Sequence, residues 1–411
     1  MSSAKAEQPD PCDPPPVTRV PEARFHELDI LRGVAAFTVV IFHYKHFLLD
    51  DAGNFDYHHM PFFALLAPVY VYGQYFVELF FSISGYVFFW LYAEAIAERR
   101  VGPGTFFIAR FSRLYPLFFV TFAFVTVAQW LFTALHGHTY IYTHNSAGDF
   151  VLNLFMVQQW LPNVDLSFNG PSWSISVEVF LYASFFILCA YQWNRPWVVV
   201  AVVVFGLAFK YLQVQPSANF ARGIPSFFIG GLIYYAVTWL RQPGRESGLQ
   251  RVNVLLLWLV PSLWLATYVR THPLLIPLAD WLEARHFGSQ SPLFGIDSFI
   301  NLLIPLTLLA IGLRRGAWLA PEKLKGWAWL GDISYSIYLI HFPLQLLLMI
   351  FLAGLPFATR AAIFSSPLVF IAFMAVVTLV SRLSFTHFEM PMRRFLNAWL
   401  RRRLVSGPPI G

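Results

Sequence analysis

The chain has 411 residues, of which 57% are hydrophobic and 12% charged, and its mean hydropathy is +0.57. Soluble domains are about a quarter charged and at most about half apolar, so this composition excludes a disordered chain and argues against an ordinary soluble enzyme. Two cysteines exclude a disulfide-built scaffold and a multi-cysteine metal site, and the formal net charge of +6 leaves open at first whether the partner is a nucleic acid.

The amino-terminal segment is polar and proline-rich, without the apolar core of a signal peptide. We therefore expect residues 1–28 to form a disordered cytosolic tail and no cleavable signal peptide. Beyond this tail, apolar stretches recur, each near the length of about 20 residues that a membrane-spanning helix needs. They lack the alternation of barrel strands. The ten predicted spans are residues 30–49, 74–93, 114–135, 173–191, 196–214, 223–240, 252–269, 296–313, 331–354 and 362–384.

Lysine and arginine are distributed unevenly between the loops. With the amino terminus in the cytosol, 20 of the 28 fall on the cytosolic side, 5 on the outer side and 3 within spans. Cytosolic loops of membrane proteins carry such an excess. The bias predicts an all-α polytopic membrane protein, with about ten transmembrane helices, both termini in the cytosol and lipid around it. The same bias accounts for the positive net charge, because the basic residues are concentrated on the cytosolic side of the membrane. We therefore expect no nucleic-acid partner.

The first predicted span carries ionisable side chains, which are costly in lipid and therefore functional candidates. Arg32 and His43 are 11 residues apart, which places them on one helix face and about 16 Å apart along the axis. The spacing suits an anion-binding group near the cytosol and a proton-transfer group deeper in the membrane. The alternative is that Arg32 reaches lipid headgroups and His43 bonds a neighbouring helix. Lys45 and His46 lie near the outer boundary, where we expect interfacial positions.

The second span and the loop after it also carry charges. Glu78 must pair with a cation, and the residues alone do not choose between Arg32 and Lys45. Arg110 and Arg113 lie one helical turn apart at the cytosolic edge of the third span. Two guanidiniums there suit a phosphate-rich ligand, and anchoring to the inner leaflet is the alternative.

Two later spans carry polar residues at helical spacing on one face. They are Ser174, Glu178 and Tyr182 in the fourth span and Ser334, Tyr338 and His341 in the ninth. So many intramembrane polar groups predict a polar cavity through the membrane. No histidine or carboxylate cluster has metal-ligand spacing, so we expect no metal. Acid–base catalysis with a histidine base and transport of a polar solute or a proton both remain open.

The carboxy-terminal residues 386–411 are expected to form a basic amphipathic cytosolic tail. From His387 to Leu404 the pattern predicts a helix with Phe395 and Trp399 opposite a row of arginines. Such a helix suits the surface of the anionic inner leaflet.

Five motifs follow one another along the predicted spans. They are LDILRGVAAFTVVIFHY, which contains Arg32 and His43, then LFFSISGY (79–86), RFSRLYP (110–116), SWSISVEVFLY (172–182) and SYSIYLIHFP (334–343). Together they resemble the acyltransferase-3 family of bacterial integral-membrane acyltransferases. The resemblance covers about residues 25–385 and implies a membrane domain at 29–385.

The resemblance implies transfer of an acyl group, often acetyl, from acyl-CoA to a hydroxyl of a sugar, a cell-surface polysaccharide or a lipid-linked glycan. It implies a location in the bacterial inner membrane and acyl-CoA as donor substrate, without a tightly bound cofactor. By matched position, it implies catalytic roles for His43, Arg32 and Glu178. The implied substrate-binding residues are Arg110, Arg113, Glu78, Ser84, Ser174, Tyr338 and His341.

The sequence departs from the family pattern at two of these motifs, because Ala109 stands where an adjacent arginine is common and Glu78 where aspartate is common. Two alternatives to the glycan acceptor remain. One is acyl transfer to a small hydroxylated metabolite, which uses the same chemistry. The other is a non-enzymatic transporter or exporter, which would consume no acyl-CoA.

Overall fold

The computed structural model describes residues 25–50, 53–55, 57, 59–161, 164–211, 218–275, 277, 296–314 and 324–405. Within these residues the regular structure is helical, and β-structure is limited to one isolated bridge between Leu49 and Phe55. The predicted all-α class is therefore confirmed. Most of the predicted amino-terminal tail lies outside the described residues.

The helices follow one another with short connections over most of the described chain. In chain order they are α1 (His26–His43), α2 (Phe63–Tyr72), α3 (Phe76–Ala97), α4 (Pro103–His136), α5 (Ala147–Leu154), α6 (Trp173–Ala190), α7 (Pro196–Tyr211), α8 (Ala218–Leu240), α9 (Glu246–Thr271), α10 (Ile296–Leu313), α11 (Ser334–Leu352), α12 (Phe357–Phe364), α13 (Pro367–Ser384) and α14 (Met390–Val405). A π-helical turn, Phe385–Glu389, joins α13 to α14.

Seven helical segments among the described residues are long and apolar enough to cross a membrane. Two shorter apolar segments, Pro196–Phe209 and Ile300–Leu313, lie in α7 and α10. Large apolar side chains on several helices point away from the protein interior, as a lipid-facing surface requires. Examples are Trp130, Trp258, Phe351 and Leu368. The count of ten spans and the orientation stay predictions.

Helix α4 shows how local sequence sets helix ends. It begins at Pro103, because proline is tolerated at the first helical position, where its missing N–H costs no hydrogen bond. It ends where Gly137 adopts a left-handed conformation with φ of 79°, which glycine accepts without strain. The 34-residue helix carries the RFSRLYP motif within its first half. The motif's arginines are held on a rigid helix rather than on a loop.

The pair α3 and α8 packs through its backbones. A Cβ atom added to Gly85 would lie 1.8 Å from the carbonyl oxygen of Phe227, and one added to Gly230 would lie 2.0 Å from that of Ser82. The hydroxyl of Ser82 donates to the carbonyl of Ser226 at 3.0 Å across the same interface. Small residues thus let the two helices approach closely, as is common between membrane helices.

Helix α1 packs between α3 and α11, and α11 also packs on α4 and α13. Helix α6 packs on α3 and α8. Helices α1, α3, α4, α6 and α11 therefore enclose a common space. Most of the candidate site residues of the sequence lie on these five helices.

Candidate functional site

A cavity of about 60 Å³ with both polar and apolar residues in its wall lies between α1, α3, α4, α6 and α11. Six of the ten residues that the sequence singled out line it, although they come from five helices spread along the chain. They are Arg32, Ser84, Arg113, Ser174, Glu178 and Tyr338. Ser334 and Tyr335 complete its polar wall. The space is large enough for a few water molecules.

The cavity carries more positive than negative charge. Arg32 and Arg113 bring two guanidiniums to its wall, whereas Glu178 brings one carboxylate. That carboxylate accepts a hydrogen bond from the hydroxyl of Tyr182, one helical turn further along α6. Guanidiniums bind carboxylate and phosphate through paired N–H groups. The arrangement therefore favours an anionic ligand, with Glu178 partly balancing the two arginines.

Tyr338 separates this cavity from a pair of histidines. Its hydroxyl accepts a hydrogen bond from Ser174 at 2.8 Å and donates to the carbonyl of Pro171. Its ring centroid lies 6.2 Å from that of His341, one turn further along α11. The cavity wall includes Tyr338 but neither His341 nor His43. Tyr338 thus contacts the cavity on one side and His341 on the other.

His43 and His341 contact each other through their ring nitrogens. The Nδ1 atom of His43 lies 3.1 Å from Nε2 of His341, and the rings are stacked with centroids 4.9 Å apart. His341 is fully buried and His43 is half-buried. The His341 Nδ1 atom lies 3.2 Å from the carbonyl oxygen of Ile337.

With both rings neutral, the contacts of this pair assign the proton of each ring to one nitrogen. A carbonyl oxygen only accepts, so Nδ1 of His341 donates to Ile337. A neutral imidazole has one N–H, so Nε2 of His341 accepts and Nδ1 of His43 donates to it. The lone pair of His43 then lies on Nε2, which bonds no other described residue. In its neutral state His43 therefore carries its basic lone pair on Nε2.

Gln345 connects the histidine pair to a third histidine. Its amide donates to the carbonyl of His43 at 2.9 Å, and its side-chain oxygen lies 3.2 Å from Nδ1 of His46. The position of His46 in the sequence predicts an interfacial side chain, but this side chain is buried, with 4% of its surface exposed. Gln345 was not among the predicted site residues. The sequence feature that could have identified Gln345 is a single amide side chain in an apolar stretch, four residues after His341 and on the same helix face.

Glu78 pairs with a cation that the sequence analysis did not consider. Both carboxylate oxygens accept from Arg222 of α8, at 2.7 and 3.0 Å. Neither Arg32 nor Lys45 is the partner. Arg222 was assigned to an outer loop because the predicted span began at residue 223, whereas α8 begins at Ala218. Glu78 does not line the cavity, so its position supports a structural role in joining α3 to α8.

Arg110 lies beside the cavity rather than in its wall. One of its terminal nitrogens donates to the hydroxyl of Tyr92 at 3.0 Å, and its guanidinium lies over the rings of Phe88 and Tyr92. The side chain is 8% exposed, and its Nε atom has no hydrogen-bond partner among the described residues. Arg110 therefore keeps an unused donor one turn from Arg113.

A family model described as an acyltransferase domain matches residues 25–385 of this chain. The chain belongs to the acyltransferase-3 family. It is also 29% identical over 419 residues to the acyltransferase MdmB of Streptomyces mycarofaciens, a match that covers 96% of both proteins. A shorter match, 35% identical over 107 residues, relates it to protein 2 in the picA locus of Rhizobium radiobacter and covers 26% of this chain and 47% of that protein. No solved structure matches.

Family membership confirms the resemblance drawn from the five motifs and makes the protein an acyltransferase. With the apolar helices, it also makes the protein a multi-pass membrane protein. An acyltransferase needs an acyl donor and an acceptor. The geometry offers two places for them, the arginine-lined cavity and the histidine pair beyond Tyr338. The roles of the individual residues stay predictions.

Proposed function

We propose that the protein moves an acyl group, acetyl in the first instance, from acyl-CoA to a hydroxyl of a sugar or cell-surface polysaccharide at the bacterial inner membrane. The observation that carries the proposal is the hydrogen-bonded series from Ile337 through His341 to His43. This series leaves a basic nitrogen on His43, which is what removal of a proton from an acceptor hydroxyl requires.

The donor is held by the cationic residues. Arg32 and Arg113 face one cavity, and Arg110 lies one turn away with a free N–H. Their guanidiniums bind the phosphates of CoA through charge-assisted hydrogen bonds. The acyl thioester extends from this anchor toward Tyr338. Tyr338 contacts His341, which pairs with His43.

The transfer itself needs one base and no metal. Nε2 of His43 takes the proton of the acceptor hydroxyl as the oxygen attacks the thioester carbonyl. The carbon–sulfur bond breaks, and the proton passes from His43 to the departing thiolate, which leaves as free CoA. While His43 is positively charged, its Nδ1–H donates a stronger, charge-assisted bond to Nε2 of His341. His341 thereby stabilises the intermediate charge.

Release of free CoA from acetyl-CoA tests the proposal. The full chain in nanodiscs receives acetyl-CoA and a panel of sugars, polysaccharides and small hydroxylated metabolites, beside His43→Ala. His138→Ala is the matched control, because this exposed histidine lies in an outer loop away from the pair. We expect acceptor-dependent release from the wild type and the control, and loss in His43→Ala.

The acceptor that supports release separates a glycan from a small metabolite. Release that is equal in wild type and His43→Ala overturns the role of His43. Two results together would overturn the proposed donor and acceptor. They are the absence of CoA release and unchanged acetylation of the cell envelope in a host that carries His43→Ala. This outcome would favour transport of a solute.

A further inference from the structure

The carboxy-terminal helix α14 lies beyond the segment that the family model matches, which ends at residue 385. The sequence analysis expected it on the inner leaflet. In the structure it packs against α4, the helix that carries Arg110 and Arg113. This contact places α14 beside the part of α4 that lines the cavity, on the side that the distribution of lysine and arginine predicts to be cytosolic.

Two polar contacts fix α14 in place. The hydroxyl of Ser112 on α4 donates to the side-chain oxygen of Asn397 at 3.0 Å. At the start of α14, Glu389 of the π-helical turn accepts hydrogen bonds from Ser336 of α11 and from Ser384. Ser112 lies between the two arginines of α4 in sequence. Asn397 therefore holds α14 directly beside them.

This docking brings a third guanidinium to the same place. Arg393 lies one helical turn before Asn397, on the same face of α14. Because Asn397 bonds Ser112, which lies between Arg110 and Arg113 in sequence, the docking directs Arg393 toward the same part of α4, where the like charges repel one another. Arg393 is half-buried, whereas the next residue, Arg394, is exposed.

None of the three arginines forms a salt bridge among the described residues; Glu178, in the same cavity wall as Arg113, and Glu389, which attracts Arg113 electrostatically, are carboxylates near them. Within the described part of the chain, Arg110 bonds only the hydroxyl of Tyr92. The buried Nε atom of Arg110 has no partner. Three guanidiniums held together against their mutual repulsion, with a buried donor unused, form a site that a multiply charged anion would stabilise.

We infer that Arg393 of the carboxy-terminal helix completes, with Arg110 and Arg113, a binding site for phosphate groups at the cytosolic mouth of the cavity. The inference rests on the proposed function, in which acyl-CoA is the donor. CoA carries a diphosphate and a 3′-phosphate, and Arg113 also lines the cavity into which its thioester arm would extend. A lipid headgroup offers the same phosphate chemistry. The apolar face of α14, with Phe395 and Trp399 exposed, is the part suited to lipid.

Binding of CoA to the full chain in nanodiscs of phosphatidylcholine tests the inference. We expect Arg393→Ala to weaken CoA binding about tenfold, since one charge-assisted contact is lost, and Arg393→Lys to weaken it less. Arg394→Ala removes the same charge from the neighbouring exposed position, and we expect its dissociation constant to stay within about twofold of the wild-type value. Thermal unfolding of each variant checks that α14 remains docked.

The outcomes separate this inference from the proposed function. Equal CoA affinity in Arg393→Ala and Arg394→Ala, with tight binding by the wild type, overturns the role of Arg393 alone. If the wild type binds no CoA, the assignment of acyl-CoA as the donor and the inference about Arg393 are both overturned. Preferential loss of copurified phosphatidylglycerol from Arg393→Ala, with unchanged CoA affinity, would assign the site to a lipid headgroup and overturn the inference.

Discussion

His43 and His341 are 298 residues apart in the chain, yet their ring nitrogens lie 3.1 Å apart. His341 is itself oriented by the carbonyl of Ile337, one turn earlier on α11. The order of contacts is a backbone acceptor, an orienting histidine and a half-buried basic histidine. Catalytic bases in unrelated enzymes are oriented in the same way by a third group.

The first prediction concerns His341 as a positioning residue. We expect His341→Leu to lower kcat for acyl transfer about 100-fold with little change in the KM for acetyl-CoA, because His43 loses the acceptor for its Nδ1–H. His341→Gln supplies an amide oxygen that accepts this bond, so it should keep more activity than His341→Leu. Steady-state kinetics on variants with equal melting temperatures measure the effect. Equal losses of kcat in the two variants would point to packing alone.

The second prediction concerns the balance of charge in the cavity. Glu178 is the one carboxylate that faces Arg32 and Arg113 in the described cavity wall. We expect Glu178→Gln to tighten CoA binding by about fivefold. The substitution removes the repulsion between the Glu178 carboxylate and the negatively charged CoA, which costs about 1 kcal/mol. Arg32→Ala should weaken the same binding. Calorimetric titration with CoA measures both dissociation constants, and weaker binding by Glu178→Gln would contradict the assignment of this cavity to the donor.

The third prediction concerns the ion pair between Glu78 and Arg222. Its carboxylate is 3% exposed, so either single replacement by leucine leaves a charge without its partner. We expect each single variant to lose about 3 kcal/mol of stability and the double variant to lose less than the sum. Thermal unfolding in detergent measures this cycle. The exposed pair of Glu98 and Arg100 is the control, for which we expect a loss below about 1 kcal/mol.

The fourth prediction tests the contact between α3 and α8. Gly85→Ala would place a methyl group inside the van der Waals radius of the Phe227 carbonyl oxygen. This oxygen belongs to the backbone of α8, so it cannot avoid the methyl group by a side-chain rotation. We expect destabilisation of about 3 kcal/mol and reduced yield of folded protein. Gly248→Ala on α9 is the matched control, since a Cβ there meets no atom within 4 Å. Similar melting temperatures for the two variants would show that α3 and α8 can separate.

Much of the architecture followed from one-dimensional patterns. Hydropathy predicted the helices, because each membrane span must satisfy its backbone hydrogen bonds within itself and be apolar along its length. The motifs identified the family and singled out the residues that now line the cavity. Helix ends were less predictable. The span assigned to α8 began too late, so Arg222 was placed in a loop and was not considered as the partner of Glu78.

Which side chains meet was decided only by the tertiary structure. The pairs His43 with His341, Glu78 with Arg222 and Ser112 with Asn397 each join helices far apart in the chain. Helical periodicity fixes the face on which a residue lies, but the neighbour of that face depends on how helices pack, down to the glycine contacts between them. The sequence by itself therefore determined the all-helical membrane class and the chemical groups available. Packing decided that the basic histidine lies beyond Tyr338 and that the carboxy-terminal helix lies beside the arginines.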